Sequence, residues 1–226
     1  MPQASERVRR ILAISCANIV DHRSTSASTR TCRLAAEEAA RQSNDARTDI
    51  LALVDLDLHP CTMCGACLRD PAFHCVDEDF NTLLDATIAA DAVVMVIPHY
   101  AGLPSKLVMV MEKLQELAFL LGENGRQKEF PLRGKPVALV GHGGMVEDPD
   151  ALEYYRKALL GPVQQALGSI GMKIVPAGAR QPWGVTFGIT GMNRAPGTFV
   201  SEMEHDWDRI SSQLRPLVTS LLAVAR

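Results

Sequence analysis

The chain has 226 residues, of which 47% are hydrophobic and 22% charged, and its formal net charge is −3. This composition is typical of a globular chain with a buried core, and the charge argues against a nucleic-acid or membrane-surface partner. No run of about 18 apolar residues predicts a membrane-spanning helix. Since the first ten residues also lack the apolar stretch of a signal peptide, we expect a cytoplasmic protein.

Five short apolar runs alternate with helical patterns along the chain. They lie at residues 8–15, 49–54, 92–97, 136–140 and 173–175. Such alternation predicts an α/β fold, in which helices cover both faces of a parallel sheet. A doubly wound sheet of five strands with these connections commonly has the strand order 2-1-3-4-5. Its ligand crevice then lies beyond the carboxyl ends of strands 1 and 3.

Three helices between these strands are predicted from apolar spacing and capping residues. The first carries an apolar stripe over residues 80–88, with Asp77 or Asp79 as its N-cap. The second covers residues 106–121 and is apolar on two faces, which predicts contact with another subunit. The third covers residues 148–171, since it opens with an Asp-Pro pair and closes with a glycine.

The last fifty residues differ in character from the rest. We predict a domain of residues 1–176, into which a cysteine-rich loop is inserted at residues 61–75. Residues 177–226 form a C-terminal extension that packs on this domain or on a neighbouring subunit. The part from 177 to 200 is rich in Gly and Pro without periodicity, which predicts an irregular segment.

A final helix follows this segment. The pair Ser201 and Glu204 is typical of a capping box at a helix N-terminus. Apolar residues then recur at helical spacing from Met203 to Leu221 and predict an amphipathic helix. Pro216 lies inside this helix and predicts a kink.

Four of the six cysteines fall within fifteen residues. They are Cys61, Cys64, Cys67 and Cys75. Three thiolates at successive two-residue spacings and a fourth shortly after them favour a cuboidal iron–sulfur cluster. A zinc site and bare, redox-sensitive thiols are the alternatives. The other two, Cys16 and Cys32, stand alone and are typical of small core residues.

Hydroxyl-bearing residues crowd the loop after the first strand, where a helix begins. The residues that we select from it as cofactor-binding are Ser15, Asn18, Ser24, Ser26, Ser28 and Thr29. Hydroxyls, free backbone N–H groups and a helix N-terminus together favour a phosphate site. Neither a dinucleotide fingerprint nor a Walker loop is present in it. The alternative is a polar surface loop with several candidate N-caps.

Two further loops converge on the same edge of the predicted sheet. The candidate cofactor-binding residues after strand 3 are Pro98, His99, Tyr100, Ala101 and Gly102, and those after strand 4 are Gly141, His142, Gly143 and Gly144. Tyr and His offer flat faces and hydrogen bonds to an aromatic ligand, while Gly permits close backbone approach. Together the three loops predict a ligand site.

With these pieces in place, the chain resembles the NAD(P)H-dependent FMN reductase superfamily of flavodoxin-like fold, and within it the iron–sulfur flavoproteins. The matching pieces are ILAIS, DLDLHPCTMCGAC, CVDEDF and ADAVVMVIPHYAGLPSKL. The resemblance extends from about residue 8 to residue 176. Two departures are a longer loop after strand 1 and the pair Glu112-Lys113, where many reductases have Asp-Arg.

The resemblance implies that FMN is the cofactor and NAD(P)H the co-substrate. The FMN phosphate would be held by Ser15, Ser26, Ser28 and Thr29. The isoalloxazine would contact residues 98–102 and be bordered by residues 141–144. The cysteine motif is implied to bind one 4Fe-4S cluster.

We therefore expect an FMN-dependent oxidoreductase that passes electrons from NAD(P)H or a reduced carrier through FMN and the cluster to a small-molecule or protein acceptor. The alternatives are a cluster-free NAD(P)H:FMN or quinone reductase, and a non-catalytic redox carrier or sensor. No protein nucleophile is required, although Tyr100, His99 or His142 could donate a proton or a hydrogen bond to reduced flavin. A homodimer or homotetramer is expected from the two-faced helix and from family analogy.

Overall fold

Five parallel strands form the centre of the molecule, in a computed structural model that describes residues 8–20, 26–193 and 202–225. The strands are β1 Arg9–Ser15, β2 Ala46–Ala52, β3 Ala92–Pro98, β4 Pro136–Val146 and β5 Lys173–Ile174. Their order in the sheet is β2-β1-β3-β4-β5, and every pairing is parallel. The predicted doubly wound α/β topology is thereby confirmed.

A sixth strand, β6 Val185–Ile189, was not predicted. It pairs in parallel with the carboxyl half of β4, while β5 pairs with the amino end of β4. The prediction of an irregular segment over residues 177–200 is therefore wrong in this part. Two further short strands, β7 Gly191–Asn193 and β8 Glu202–Glu204, pair in antiparallel fashion.

Seven helices accompany these strands within the described residues. They are α1 Ala27–Gln42, α2 Ala66–Arg69, α3 Glu78–Ala89, α4 Ser105–Glu123, α5 Pro149–Tyr155, α6 Gly161–Ser169 and α7 Trp207–Val224. Asp77 caps α3 by accepting the N–H of Phe80, and Asp148 caps α5 by accepting the N–H of Ala151. Asp148 was predicted as a cap, and Asp77 was one of the two candidates for the cap of α3. None of the described helices is long and apolar enough to cross a membrane.

The third predicted helix contains a wider turn in its middle. A π-helical turn over Arg156–Leu160 joins α5 to α6. Pro162, in the first turn of α6, has no N–H and would clash with the carbonyl four residues earlier in regular α geometry. The helix widens directly before this proline, which relieves both conflicts.

The C-terminal helix begins later than predicted. Met203 lies in β8, and the N-cap of α7 is Asp206, whose carboxylate accepts the N–H of Arg209. Ser201, the other half of the predicted capping box, lies outside the described residues. Pro216 lies within α7, as the sequence indicated.

Two apolar cores lie on opposite faces of the sheet. One is formed by α3, α4 and α6, with Leu84, Leu117 and Leu139 fully buried in it. The other lies beneath α1 and α7 and includes Ala35 and Leu214. Because β3 is covered on both faces, all seven of its residues are buried. This rigid centre fixes the positions of the loops at its carboxyl edge.

Candidate functional site

The loops after β1 and β3 are hydrogen-bonded to each other. The backbone N–H of Asn18 donates to the hydroxyl of Tyr100 at 3.1 Å, and its amide nitrogen Nδ2 donates to Oγ of Ser105 at 3.0 Å. Between the loops lies a cleft of about 290 Å³. Its lining residues are Asn18, Ile19, Tyr100, Ala101, Leu103, Pro104 and Ser105. The two loops that the sequence predicts to meet therefore do so.

Two polar groups in the cleft wall are available to a ligand. The side-chain oxygen Oδ1 of Asn18 is buried and has no hydrogen-bond partner among the described residues. Buried polar atoms are nearly always hydrogen-bonded, so this oxygen is a candidate acceptor for a ligand bound in the cleft. The Tyr100 hydroxyl accepts from Asn18, which leaves its own proton free to donate. Burial raises the pKa of Tyr100, so that this proton is retained at neutral pH.

Hydroxyls gather at the N-terminus of α1. Oγ of Ser15 is hydrogen-bonded to Oγ1 of Thr29 at 3.0 Å, and both residues are buried with Ser28. Ser26 is the N-cap but makes no side-chain capping bond, and the first turn of α1 has no acidic residue. A helix N-terminus with these properties favours an anion. Ser24 lies outside the described residues.

Gly141, Gly143 and Gly144 lie within β4, not in a loop as predicted. The strand continues through them because β6 supplies a hydrogen-bonding partner from Val140 onward. A Cβ on Gly143 would lie 2.5 Å from the hydroxyl oxygen of Tyr155, and one on Gly141 would lie 3.1 Å from Leu160. Close packing against α5 and the following π turn therefore accounts for these two glycines.

His142 is buried and faces the interior. Its Nε2 is hydrogen-bonded to Oγ of Ser28 at 2.7 Å, and its ring stacks on Phe187 with a centroid distance of 4.9 Å. Burial, assisted by the nearby His205, lowers the pKa of His142 to about 3. The ring is therefore neutral at physiological pH, and it holds the Ser28 hydroxyl at the start of α1.

The remaining predicted residues after β3 have separate roles. Pro98 is the last residue of β3 and is buried. The N–H of His99 donates to the carbonyl of His142 at 2.6 Å, and its ring nitrogen Nε2 is 2.9 Å from the Tyr154 hydroxyl. Gly102 has φ +112°, a conformation that side-chain-bearing residues rarely adopt. This glycine allows the loop to turn so that its neighbours line the cleft.

The cysteine loop connects the end of β2 to α3. Its turns require positive φ angles at Met63 and Gly65, and α2 follows directly. Burial raises the pKa of the Cys67 thiol, and the negative charges of the other three thiols raise it further. These three are Cys75, Cys61 and Cys64. The Cys67 thiol therefore lies within electrostatic range of each of the other three motif thiols.

The environment of Cys64 differs from that of Cys67. Cys64 is exposed, and the N–H of Ala66 and the hydroxyl of Thr62 lower the pKa of its thiol. Across the part of the chain that the structure describes, no group of three His, Cys, Asp or Glu residues is arranged to hold a metal ion. The four thiols would be the ligands if an iron–sulfur cluster were bound, since such clusters are held by Cys thiolates.

Three side chains of α4 make polar contacts with this loop or with the residues that lead into it, and sequence reasoning missed all three. Nζ of Lys106 donates to the carbonyls of Val54 and Leu56, which precede the loop. Glu112 accepts the N–H of Cys61 at 3.2 Å. Nζ of Lys113 lies 3.5 Å from Sγ of Cys75, the last cysteine of the loop. The only sequence signal for these contacts was the pair Glu112-Lys113, which departs from the Asp-Arg of many reductases.

The model of one protein family, NADPH-dependent FMN reductase, matches residues 10–177 of the chain. This span includes β1 to β5 and both loops of the cleft. The chain belongs to this family. It is therefore a member of a family of flavin oxidoreductases, as its sequence led us to expect.

Solved structures of flavoproteins share the fold. RosB with a bound 8-demethyl-8-formylriboflavin-5'-phosphate intermediate has a TM-score of 0.63 and 21% identity, covering 96% of this chain and 79% of RosB. The apo form of the NADH:FMN oxidoreductase EMOB has a TM-score of 0.56 and 18% identity, covering 96% and 90% of the two chains. FerB, an NAD(P)H:acceptor oxidoreductase from Paracoccus denitrificans, has a TM-score of 0.56 and 13% identity, covering 97% and 100%. At these identities the likeness concerns the fold alone.

A curated relative carries the name iron-sulfur flavoprotein and comes from Methanosarcina thermophila. It is 32% identical to this chain over 98 residues. The match spans 43% of this chain and 47% of the relative, just under half of each. Its name agrees with the resemblance that the cysteine motif indicates.

The residues of this FMN reductase family member fit the two groups that the resemblance implies. For FMN, the cleft offers the Asn18 oxygen and the Tyr100 hydroxyl, and the loop after β1 leads to a helix N-terminus without acidic residues. For an iron–sulfur cluster, the donor set is the four thiols of one loop, and thiolate is the ligand type that such clusters require.

Proposed function

We propose that this protein is an FMN-dependent oxidoreductase that transfers electrons from NAD(P)H or a reduced carrier to a small-molecule or protein acceptor, with one 4Fe-4S cluster as a second redox centre. The observation that carries this proposal is the placement of α4. Its first residue, Ser105, lines the cleft, and its Glu112 contacts the cysteine loop. Glu112 follows Ser105 by seven residues, which corresponds to a rise of about 10 Å along the helix axis.

The protein's own contribution at the cleft is to bind and orient. FMN, when bound, accepts electrons as a hydride and can release them one at a time. The Asn18 oxygen is placed to accept a hydrogen bond, and the neutral Tyr100 hydroxyl is placed to donate one. The α1 N-terminus, with Ser26 and the buried Ser28, is suited to the phosphate. The side chains of Ser15 and Thr29 are hydrogen-bonded to each other, and this bond stabilises the first turn of α1.

At the cysteine loop, the four thiols would hold the cluster. Thiolates are the standard protein ligands of such clusters, which transfer single electrons. The Cys61 thiol accepts the N–H of Met63 at 3.4 Å, and the backbone of Cys75 is held by the Asn81 side chain on both its N–H and its carbonyl. These bonds hold the two cysteines that would be the first and last ligands of the cluster.

An anaerobic spectrum with iron and sulfide quantification tests the proposal directly. We expect bound FMN, close to four iron and four sulfide per chain, and a broad visible absorbance that dithionite bleaches. Adding NAD(P)H without oxygen should bleach the flavin bands. Protein that binds no FMN overturns the proposal as a whole, and protein with FMN but no iron or sulfide overturns the cluster.

A cluster-free NAD(P)H:FMN or quinone reductase is the second candidate. It is favoured by the observation that the described residues include no group arranged to hold a single metal ion, and by the exposure of Cys64. Under this alternative, replacing Cys64 would leave the NAD(P)H oxidation rate unchanged. Loss of transfer to a one-electron acceptor in the same variant, with hydride uptake retained, would instead support the cluster.

We also propose that the protein is a homodimer or homotetramer. On α4, Val108 and Phe119 expose about half of their side chains, 45% and 58%. Covering helices normally expose polar residues, so an apolar outer face favours subunit contact. Sedimentation of wild type and Phe119→Glu tests this. A wild-type monomer would contradict the proposal.

A further inference from the structure

One lysine of α4 is buried beside the cysteine loop. The side chain of Lys113 is only 3% exposed. Its Nζ lies 3.3 Å from Oδ2 of Asp77 and 3.5 Å from Sγ of Cys75, and it faces the ring of Phe80 at 5.5 Å. Burying an ammonium group is costly unless it is paired, so the position of this charge requires a reason.

Asp77 is one part of that reason, because it closes the loop. Its carboxylate accepts the N–H of His59, which precedes the first cysteine, at 2.9 Å. It also accepts the N–H of Phe80, in the first turn of α3, at 3.0 Å. Both ends of the cysteine loop are therefore fastened to one carboxylate, and Lys113 neutralises it. This alone would make Lys113 a structural residue.

The contact with Cys75 goes beyond that structural role. An ammonium group has three N–H donors. One N–H of Lys113 is directed at the sulfur of Cys75 and not at the carboxylate of Asp77. The preceding residue, Glu112, accepts the N–H of Cys61. Two consecutive residues of α4 thus reach the first and the last cysteine of the motif. The loop is held by α4 at both of these cysteines.

We propose that Lys113 is a positioning residue of the cysteine site: its ammonium group donates a hydrogen bond to the Cys75 thiolate and places a positive charge beside the group that the four thiolates hold. This inference rests on the proposed function, since it assumes that the group is the 4Fe-4S cluster. Hydrogen bonds to ligand sulfurs and nearby positive charge favour the reduced, more negative state of a cluster. Lys113 therefore raises the reduction potential of the cluster.

The test compares four variants with wild type by iron and sulfide content, FMN content and the midpoint potential of the cluster. Lys113→Met removes the donor and its charge. Lys113→Arg keeps both. Lys135→Met is the matched control, because Lys135 is half-buried and contacts the carbonyls of Ile88 and Ala90 but no cysteine. Lys113→Gln removes the charge but keeps a polar group beside Asp77, and it serves if Lys113→Met does not fold.

We expect the cluster potential of Lys113→Met, or of Lys113→Gln, to become more negative, with FMN content unchanged. Lys113→Arg should stay near wild type, and Lys135→Met should not differ from it. A potential and an iron content in Lys113→Met equal to those of Lys135→Met would overturn the inference while leaving the proposed function intact. Wild-type protein without iron overturns the proposed cluster and this role together, before any variant is compared.

Discussion

Asn18 and Tyr100, 82 residues apart in the chain, are joined by a hydrogen bond of 3.1 Å from the Asn18 N–H to the Tyr100 hydroxyl. The bond connects the loop after β1 to the loop after β3, which are adjacent strands of the sheet. It also leaves one acceptor, the Asn18 oxygen, and one donor, the Tyr100 proton, at the cleft. The bond thus shapes the cleft and supplies its polar contacts.

Replacing Tyr100 with Phe should weaken FMN binding. The variant loses a donor to the ligand and leaves the Asn18 N–H without its acceptor. We expect the free energy of FMN binding to weaken by about 1–2 kcal/mol, which corresponds to a roughly 5- to 30-fold higher Kd. Fluorescence titration of apoprotein with FMN measures it. Tyr154→Phe is the control, because Tyr154 bonds to His99 and does not line the cleft. Equal affinities in the two variants would contradict the prediction.

Replacing Cys64 with Ala should remove iron and sulfide while FMN is retained. Cys64 is exposed, so the substitution should change the unfolding free energy of the apoprotein by no more than about 0.5 kcal/mol. Cys32→Ala is the control, because Cys32 is buried in the other core and far along the chain from the loop. Elemental analysis and flavin absorbance provide the readout. Loss of FMN from Cys64→Ala with its iron content intact would refute the site assignment.

Gly143→Ala should destabilise the protein. The new methyl group would overlap the ring of the fully buried Tyr155, whose hydroxyl accepts the N–H of Met145. Overpacking of this kind costs about 1–3 kcal/mol. Gly168→Ala, in α6, should instead stabilise by about 0.5–1 kcal/mol, since its Cβ would meet only the end of Gln164 at 3.7 Å. Urea unfolding of the apoproteins compares them, and equal midpoints would show that Gly143 is not a packing position.

His142 should make stability fall as the pH falls. Its folded pKa of about 3 lies below the ordinary 6.5, so the unfolded chain binds the proton first. The contribution of His142 to the free energy of unfolding is fully present above pH 6.5 and is lost as the pH falls from there toward 3. Between pH 7 and pH 5 the loss is about 2 kcal/mol. His142→Gln should show a correspondingly smaller change in unfolding free energy between these pH values. If the difference in unfolding free energy between wild type and His142→Gln did not change with pH, this linkage would be disproved.

Local patterns were sufficient for the regular elements. The apolar runs fixed four of the five central strands to within a few residues, and Asp77 and Asp148 marked the starts of their helices. These signals are local because a cap acts on N–H groups within the same turn. The start of the last helix was predicted wrongly: the Ser201-Glu204 pattern indicated a capping box, whereas Asp206 is the N-cap of α7.

The missed strand shows what local patterns cannot give. The five residues of β6 lie among glycines, and only pairing with β4 makes them a strand. That same pairing keeps Gly141 and Gly143 inside β4, where the sequence indicated a loop. Both errors have one cause, since strand pairing joins residues that are distant in the chain.

The candidate site divides in the same way. The sequence by itself determined the kind of chemistry, because thiols at close spacing and hydroxyls before a helix limit the ligands that can bind. Only the tertiary structure decided which polar groups are hydrogen-bonded to one another and which have no partner among the described residues. Ser28 is held by His142, the Asn18 oxygen is left unpartnered, and Lys113 reaches Cys75 across 38 residues. Such contacts depend on how helices pack against the sheet, and no spacing within one segment of the chain encodes them.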